Sequence, residues 1–441
     1  MLSFMKISAS SAYDRGSEYL VGLDLGTSKI TVVVAEREGS YGEAQIIGIG
    51  QAPSTGIRKG QIVNIDQTVK SLRRAIDDAE NMVGENLSEA TVAFSGANVE
   101  SVRTTGMISL GKAPRSVIKF DIERVIEAAQ TELSVPGGKM ILHTIPVEYS
   151  LDGTRGIDDP LGMAGMRLNI ELMSIIVPVA VVHNVKNCVT RAGLEVSGLV
   201  IKPLASALGT LTPEESVVGS AVVDFGGGTC GVSVFFEGRP KHLGVVSVGG
   251  EHITNDMAVV LKIPTNKAEE LKKDLALFSD SPPPEQPNDL EFEYMGRNYT
   301  CPLDKLTDIV RCRVEELFSV YIKDEIAASG IASLPGGLII TGGGSKSAGI
   351  DQYLSKTVNM PVRVSPPLDS GRMPPSRNGV EYACAAGIIR YVLEKEKDPL
   401  KYIDYSFEAE NIEMSNPTIP PLPRRGKSPF QHVVNLFKEL F

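Results

Sequence analysis

The stretch "VGLDLGTSKITVVV" (residues 21–34) places a carboxylate and a Gly-Thr-Ser turn between two runs of strand-forming residues. The same pattern returns two hundred positions later in "AVVDFGGGTCGVSVFF" (residues 221–236). Each copy is typical of a strand, an Asp-x-Gly turn of small residues and a second strand. One such hairpin is ordinary, because Gly and Asp are common in turns. Two matched copies predict a duplicated fold whose turns face each other across one cleft.

Turns of this kind can bind phosphate, because glycine frees backbone N–H groups to form an anion-binding concavity. The turns also carry side chains that can donate hydrogen bonds or positive charge to an anion: Thr27, Ser28, Lys29 and Thr229. Asp24 and Asp224 would repel a polyphosphate unless a hard cation lies between them. We therefore predict Mg²⁺, held through water by these two carboxylates. The alternative is that both turns are structural hairpins with solvated carboxylates.

A third glycine cluster lies in "GLIITGGGSKSAGI" (residues 337–350), which reads as a buried strand ending in three glycines before a helix. Such a turn lets the backbone approach a flat base or a ribose closely. The spacing is not that of a P-loop, and no G-x-G-x-x-G opens a βαβ unit. The cluster therefore predicts a nucleoside contact of another class.

The length of 441 residues favours at least two lobes, because single hydrophobic cores stop growing below this size. The composition, 42% hydrophobic and 22% charged, is that of a globular protein, and a formal charge of −10 argues against a nucleic-acid partner. The five cysteines are scattered without a C-x-x-C pair, which favours a reducing cytoplasm. No apolar run is long enough to predict a transmembrane helix.

Five segments occur in the order of the nucleotide-site motifs of the actin superfamily, and the chain resembles that superfamily over about residues 18–390. The segments resemble its phosphate 1, connect 1, phosphate 2, adenosine and connect 2 motifs, in this order: "DLGTSK" (24–29), "PLASAL" (203–208), "DFGGGT" (224–229), "TGGGS" (341–345) and "CAAG" (384–387). The resemblance implies an α/β fold, a duplicated actin-like (ribonuclease H-like) ATPase with two lobes around a nucleotide cleft. It also implies ATP and Mg²⁺ as cofactors.

The same resemblance implies which residues contact the nucleotide. They are Asp24, Gly26, Thr27, Ser28 and Lys29 in the first phosphate turn; Asp224, Gly226, Gly227, Gly228 and Thr229 in the second; and Gly342, Gly343 and Gly344 behind the adenosine. Glu269 and Lys272, in "AEELKK" (268–273), match an E-x-x-K pattern that contacts adenine or ribose in related ATPases. Their spacing is equally that of an ordinary charge pair on a helix surface.

Within the superfamily, three segments resemble the extra subdomain of the FtsA family of bacterial cell-division proteins: "VAFSGANVESVRTTGMISL" (92–110), "ILHTIPVEYSLDG" (141–153) and "GIDDPLGMAGMRLNIELMSII" (156–176). The resemblance implies this order of segments: a flexible N-terminus (1–17); a first large subdomain (18–89, 171–205 and 383–402); an inserted subdomain (90–170); a second large subdomain (206–250 and 330–382); a small subdomain (251–329); a linker (403–427); and an amphipathic membrane-targeting helix (428–441). Helical periodicity further predicts helices at 66–83, with Asp66 as the cap, at 265–278 and at 304–329.

The last segment, "SPFQHVVNLFKELF" (428–441), follows a Pro-rich stretch and has an apolar stripe at helical spacing. The apolar residues are Phe430, Val433, Val434, Phe437, Leu440 and Phe441, and Arg424 and Arg425 precede them. This composition is typical of a helix that lies in the interface of an anionic membrane. The alternative is a terminal helix docked on its own domain. A single tail binds marginally, so we expect membrane attachment to be coupled to self-assembly.

The FtsA resemblance implies an ATP-binding cell-division protein that polymerises as actin-like protofilaments on the cytoplasmic membrane, as a peripheral protein at the division site. It further implies that the protein tethers the FtsZ ring there and helps to recruit later division proteins. In that family the C-terminal tail of FtsZ docks on the small subdomain, here about 251–329, and Arg313 matches a position implicated in the contact. The other interpretation of Arg313 is an ordinary surface arginine on a helix.

The sequence leaves two other functions open. One is a sugar-kinase-like phosphotransferase using the same cleft, and the other is an actin-like membrane adaptor for pilus or cell-shape machinery. Actin-type ATPases position the attacking water with a Gln or Glu near connect 1, and "KPLASAL" (202–208) has neither. We therefore assign no catalytic residue and expect slow ATP hydrolysis or none.

Overall fold

Two five-stranded sheets with the same strand order form the framework of the protein. The computed structural model describes residues 18–37, 44–96, 98–274, 278, 289–294 and 296–404. The first sheet has the order β13-β6-β1-β2-β3, and its strands are β1 (Glu18–Leu25), β2 (Lys29–Arg37), β3 (Ala44–Pro53), β6 (Glu89–Phe94) and β13 (Glu195–Ile201). The second sheet has the order β20-β19-β14-β15-β16, and its strands are β14 (Ser220–Phe225), β15 (Cys230–Phe236), β16 (Arg239–Val246), β19 (Leu338–Thr341) and β20 (Val362–Val364). The predicted duplication is confirmed.

In both sheets an antiparallel hairpin is followed by a parallel neighbour. β1 pairs antiparallel with β2 and parallel with β6, and β14 pairs in the same way with β15 and β19. All six residues of β14, "SAVVDF", are buried, as expected for a central strand that is covered on both faces. Asp24 and Asp224 therefore lie one residue before the ends of equivalent central strands.

Helices cover the two sheets. They are α1 (Ile65–Val83), α3 (Val179–Ala192), α4 (Lys202–Thr210), α5 (Pro213–Val218), α10 (Ile350–Val358) and α11 (Ala383–Lys397). The side chain of Asn64 accepts a hydrogen bond from the Gln67 amide at the start of α1, 3.0 Å long. The prediction of Asp66 as the cap was therefore wrong, because Asp66 already lies in the first turn of the helix.

Helices α4 and α11 cross in backbone contact, which explains two of the sequence motifs. A Cβ atom on Gly387 of the "CAAG" motif would overlap the carbonyl oxygen of Ala205, and one on Gly209 would overlap that of Ala383. Only small residues allow this approach. The two connect motifs therefore form the junction between the halves of the duplication.

The inserted subdomain contributes four strands of a five-stranded sheet, which packs against one helix. The sheet has the order β10-β9-β12-β7, and its strands are β7 (Glu100–Ser109), β9 (Lys139–Leu151), β10 (Thr154–Ile157) and β12 (Arg167–Pro178). Helix α2 (Lys119–Thr131) buries Ile122, Val125 and Ala129 against it. Two short antiparallel pairs complete this half of the chain: the hairpin of β4 (Ile57–Arg58) with β5 (Gln61–Ile62), and β8 (Arg115–Ser116) with β11 (Ala164–Gly165).

The boundaries predicted for the insertion, 90–170, need correction at both ends. β6 pairs with β1 and β13 in the first sheet, so the inserted subdomain begins after Phe94. Its strand β12 continues to Pro178, where α3 begins at once. The predicted linker also begins too early, because β21 (Ile403–Asp404) pairs with β9 and Tyr402 is buried.

The small subdomain contains α6 (Gly250–Leu261), α7 (Thr265–Asp274), the hairpin β17 (Asp289–Tyr294) with β18 (Arg297–Pro302), α8 (Leu303–Glu316) and α9 (Lys323–Ala328). Of the helix predicted at 265–278, the described residues show α7 over Thr265–Asp274, and Phe278 lies in a turn. The predicted helix at 304–329 is present, but a π-helical turn at Leu317–Ile322 joins α8 to α9. In the described part of the chain, no helix has the length and apolar character needed to cross a bilayer.

Candidate functional site

The two predicted phosphate turns face each other in the structure. A Cβ atom on Gly228 would lie 2.6 Å from the Thr27 hydroxyl, and one on Gly227 would overlap the Ser28 hydroxyl. The hydroxyl oxygens of Ser95 and Thr229 are 3.2 Å apart beside them. The turns that follow β1 and β14 therefore meet across one cleft, as the matched hairpins predict.

The cleft opens into a cavity of about 930 Å³, a volume typical of small-molecule sites. The walls include every residue predicted to contact the nucleotide: Asp24, Gly26, Thr27, Ser28, Lys29, Asp224, Gly226, Gly227, Gly228, Thr229, Glu269, Lys272, Gly342, Gly343 and Gly344. They also include Cys384 of the connect 2 motif and residues for which the sequence predicted no contact: Ser54, Ser95, Lys202, Glu251, Lys346 and Glu381.

Helix α6 fixes the orientation of the second turn. Its first two amides, those of Gly250 and Glu251, donate to the carbonyl oxygens of Gly226 and Gly227 at 3.0 and 2.8 Å. In a trans peptide the carbonyl and the N–H point in opposite directions. The N–H groups of Gly227 and Gly228 therefore point away from α6, which leaves them available to an anion.

The third glycine cluster packs against the end of β14. Gly342 has φ +82°, and a Cβ atom there would overlap Asp224 Oδ1. A Cβ atom on Gly344 would lie 2.5 Å from the Phe225 ring, whereas Gly343 has open space around it. The predicted adenosine motif therefore shares one wall with the second phosphate turn.

A buried charge cluster lies at the base of the cavity. The Lys202 ammonium lies 2.8 Å from Asp24 Oδ1, and the Ser206 hydroxyl donates to Asp224 Oδ2 at 2.7 Å. Burial by itself lowers the pKa of Lys202, but Asp24, with smaller contributions from its other neighbours including Asp224, reverses this effect and holds that pKa above its ordinary value. Burial raises the pKa of Asp224, although Lys202 and Ser206 act in the opposite direction.

These residues fit Mg²⁺ held in the way the sequence predicts. Within the residues that the structure describes, no group of three or more Asp, Glu, His or Cys side chains could form a protein cage for a metal. Mg²⁺ commonly binds one or two carboxylates and completes its shell with water and phosphate oxygens. Asp24 and Asp224 supply two carboxylates, and one of the Asp24 oxygens is engaged by Lys202.

Lys29 lies on the other side of the first turn. Its ammonium is 3.8 Å from the centroid of the Tyr382 ring, a cation–π contact. Burial lowers the pKa of Lys29 to about 8, although the charges of Glu381 and Asp24 oppose this effect. Lys29 therefore changes its charge close to physiological pH.

The ion pair of Glu269 and Lys272 makes additional contacts that an ordinary charge pair on a helix surface lacks. Their side chains are 2.6 Å apart, and Lys272 also donates to the Gly250 carbonyl at 3.0 Å and to the Thr254 hydroxyl at 2.8 Å. Burial lowers the pKa of Lys272, and Glu269 acts against this effect. The pair ties α7 to the start of α6, the helix that orients the second turn.

Arg313 lies outside this cavity, on α8. It donates to both carboxylate oxygens of Asp256 on α6, at 2.6 and 3.1 Å, and to Glu316 at 2.5 Å. The predicted membrane residues lie outside the described residues: Arg424, Arg425, Phe430, Val433, Val434, Phe437, Leu440 and Phe441.

The comparisons with known proteins agree with this architecture. Residues 96–176 match the family model described as the SHS2 domain inserted in FTSA, and residues 221–387 match the model described as cell division protein FtsA. The chain is 34% identical to the cell division protein FtsA of Pseudomonas aeruginosa over 428 residues, which cover 93% of this chain and 97% of that one. It is 33% identical to the cell division protein FtsA of Bacillus subtilis (strain 168) over 401 residues, 90% and 88% of the two chains.

Among solved structures, the chain resembles the PilM-PilN type IV pilus biogenesis complex, with a TM-score of 0.60 and 18% identity over 85% of this chain and 98% of that one. At this identity the likeness shows the fold alone. The fold is the duplicated actin-like α/β fold with an inserted subdomain that the sequence predicts. Taken with the two FtsA relatives, which match nearly their whole lengths, these findings place the chain in the FtsA family of cell division proteins.

Proposed function

We propose that this protein binds ATP with Mg²⁺ in the cavity between its two lobes. We further propose that it polymerises on the cytoplasmic membrane at the division site, where it links the FtsZ ring to the lipid. One observation carries the proposal: two glycine turns from equivalent strands, and a third glycine cluster, converge on one cavity of about 930 Å³. FtsA family membership supports the role in division.

The charge of the cavity supports Mg²⁺ as the companion of a triphosphate. Five lysines and five carboxylates line the walls, so the lining itself supplies little net charge to neutralise phosphate. Mg²⁺ would supply the missing positive charge when bound. Asp224 and Asp24 would hold it through water, and the glycine N–H groups of the second turn would orient the phosphates.

Slow ATP hydrolysis, or none, is part of this proposal. Lys202, which directly precedes the connect 1 motif, is engaged by Asp24, and the motif itself provides no Gln or Glu. Glu251 also lines the cavity, near Gly227, and it is the carboxylate that a phosphotransferase would need as a base. ATP turnover measured with a panel of sugar acceptors tests this second function, and turnover above about one per second would favour it.

The membrane and FtsZ roles rest on family membership and on the sequence of residues 405–441. The apolar stripe of residues 430–441 and the basic residues before it suit an anionic lipid surface. A single tail of this length is a weak anchor, whereas many tails on one filament bind by effective concentration. Polymerisation and membrane attachment would therefore reinforce each other, and the filament would then present FtsZ-binding sites and recruitment sites for later division proteins.

Electron microscopy on anionic lipid monolayers, with and without ATP, tests the proposal as a whole. The intact chain should form filaments on lipid with ATP, and a chain ending at Asp404 should not. The truncation stops at Asp404 because Tyr402 is buried and Ile403–Asp404 pairs with β9, so a shorter chain would lose part of the fold. Vesicle binding by the Phe437→Asp variant tests the same membrane role with a single substitution and should be weaker than that of the wild type. Filaments on lipid from the truncated chain, or unchanged vesicle binding by Phe437→Asp, would refute the membrane role.

A further inference from the structure

Lys202 is a largely buried lysine at the phosphate end of the cavity to which no motif assigns a role. It is the first residue of α4, directly after β13, and its side chain is 15% exposed. Its ammonium contacts Asp24 Oδ1 at 2.8 Å. A Cβ atom on Gly26 would lie 3.8 Å from the same ammonium, so the charge lies against the first phosphate turn.

The other lysines of the cavity are engaged elsewhere. Lys272 and Lys273 contact Glu269, at 2.6 and 3.1 Å, and Lys346 contacts Glu381 at 2.6 Å. Lys29 lies over the Tyr382 ring. Among the lysines that line the cavity in the described part of the chain, Lys202 is therefore the one in direct contact with a carboxylate predicted to hold Mg²⁺.

A cation in this position does part of the work of a metal ion. It offsets the charge of Asp24 and presents N–H donors beside the turn, where a phosphate oxygen would otherwise meet a bare carboxylate. Charge-assisted hydrogen bonds to phosphate are among the stronger polar contacts, and burial reduces their screening by water and salt.

We propose that Lys202 is a built-in counter-cation for the nucleotide phosphates, so that Mg²⁺ strengthens ATP binding in this protein but is not required for it. The inference rests on the proposed ATP function and deepens it, because it assigns the phosphate contact to a residue of the chain itself. Lys202 acts here as a binding residue that sets metal dependence.

Isothermal titration calorimetry of the full chain with ATP, once in excess MgCl₂ and once in EDTA, tests the inference. The dissociation constant of the wild type should rise by less than about tenfold on going from MgCl₂ to EDTA. Lys202→Met should weaken binding by about tenfold to a hundredfold in EDTA and clearly less in MgCl₂. Lys202→Arg should keep most of the affinity in EDTA. Lys323→Met, which removes an exposed lysine outside the cavity, should behave as the wild type.

Asp24→Asn provides a second measurement that does not depend on the folding of Lys202→Met. It releases the Lys202 ammonium toward phosphate, so ATP binding in EDTA should be unchanged or tighter. The inference is overturned if Asp24→Asn binds more weakly in EDTA, if wild-type binding falls by more than about tenfold without Mg²⁺, or if Lys202→Met changes the affinity by the same factor, or not at all, in both buffers. If the wild type binds no ATP even in MgCl₂, the proposed function itself fails, which is a distinguishable result.

Discussion

Arg239, the first residue of the edge strand β16, is hydrogen-bonded to Asp158 of the inserted subdomain. Its Nε lies 3.2 Å from the Asp158 carboxylate and an Nη group lies 2.9 Å from the Asp158 carbonyl oxygen. From the other side, Arg103 on β7 donates to the carbonyl oxygens of Lys241 and Ser329. The inserted subdomain is therefore joined to β16 of the second five-stranded sheet and to Ser329, in addition to its chain connections with the first sheet. A rotation of one five-stranded sheet relative to the other would act on these bonds.

We predict that replacing both arginines with alanine loosens this joint without unfolding the lobes. Arg103→Ala combined with Arg239→Ala should speed amide hydrogen exchange in β7 and β16 and lower the free energy of unfolding by about 1–3 kcal/mol. Hydrogen exchange read by mass spectrometry checks this. Arg155→Ala, at an exposed position of the same subdomain, is the matched control. Unchanged exchange in β16 of the double variant would contradict the prediction.

Neighbouring glycines in the third cluster should respond differently to the same substitution. Gly342→Ala places a Cβ atom against Asp224 at a positive φ, so it should lower the free energy of unfolding by about 1–3 kcal/mol and reduce ATP binding. Gly343→Ala meets open space and should stay within about 0.5 kcal/mol of the wild type. Urea unfolding monitored by circular dichroism compares the two. Equal stability of both variants would contradict the prediction, because it would mean that the surroundings of Gly342 accommodate a Cβ atom without loss of stability.

The charge of Lys29 predicts a pH dependence of nucleotide binding. Its pKa of about 8 means that the ammonium is present at pH 7 and is lost as the pH rises through 8. ATP affinity should therefore fall between pH 7 and pH 9 in the wild type. Lys29→Arg, which stays charged, should remove this dependence. Titrations at several pH values check the result, and a pH-dependent fall of the same size in Lys29→Arg would contradict it.

The same pKa predicts a stability effect of opposite sign. The unfolded chain holds the Lys29 proton up to an ordinary pKa of 10.5, whereas the folded chain releases it near pH 8. Between these values the unfolded state binds more protons, so this group makes the free energy of unfolding rise with pH. Lys29→Met should therefore stabilise the nucleotide-free protein at pH 7, on the order of 1 kcal/mol after allowance for solvent screening. Thermal unfolding at pH 7 and pH 10 measures the difference, which should shrink at the higher pH.

Variants of Arg313 and of its partner Asp256 distinguish the two interpretations of this arginine, a contact with the FtsZ tail or an ordinary surface arginine on a helix. If Arg313 contacts the FtsZ tail, Arg313→Ala should weaken binding of a peptide with the FtsZ C-terminal sequence by at least about tenfold. Asp256→Asn keeps the arginine and removes the carboxylate charge that competes with the peptide for it, so peptide binding should be unchanged or tighter. If the arginine only ties α8 to α6, both variants should lower the free energy of unfolding and leave peptide binding intact. Fluorescence anisotropy and urea unfolding distinguish these results.

Features written in local sequence were predictable. The alternation of apolar residues around Asp24 and Asp224 predicts the two hairpins, and the glycines after each carboxylate predict turns that a ligand can approach. The order of the five short motifs then predicts which turns share a cavity, and the structure brings them together. These patterns can be recognised in the sequence because strand burial and positive φ restrict the residue types that a position accepts.

Contacts between distant parts of the chain were not predictable. Lys202 carries no motif, and its pairing with Asp24 depends on where β13 ends relative to β1. The pairing of β21 with β9 involves two residues only, too few for any periodicity. The start of the inserted subdomain was placed too early because β6 reads equally well as a strand of either unit. In each case the deciding information is three-dimensional proximity, which a single sequence does not encode locally.

The short strand β21 determines where a mechanical load would enter the folded body. Asp404 Oδ1 lies 2.7 Å from the buried His143 Nδ1 on β9, and the Tyr391 hydroxyl of α11 donates to the same oxygen at 2.9 Å. Tension carried by residues 405–441 would thus enter at Asp404, whose backbone pairs with β9 and whose carboxylate is held by His143 of the inserted subdomain and by Tyr391 and Lys395 of α11. Any force on that segment would therefore pull on the inserted sheet and also on α11, whose first turn lines the cavity.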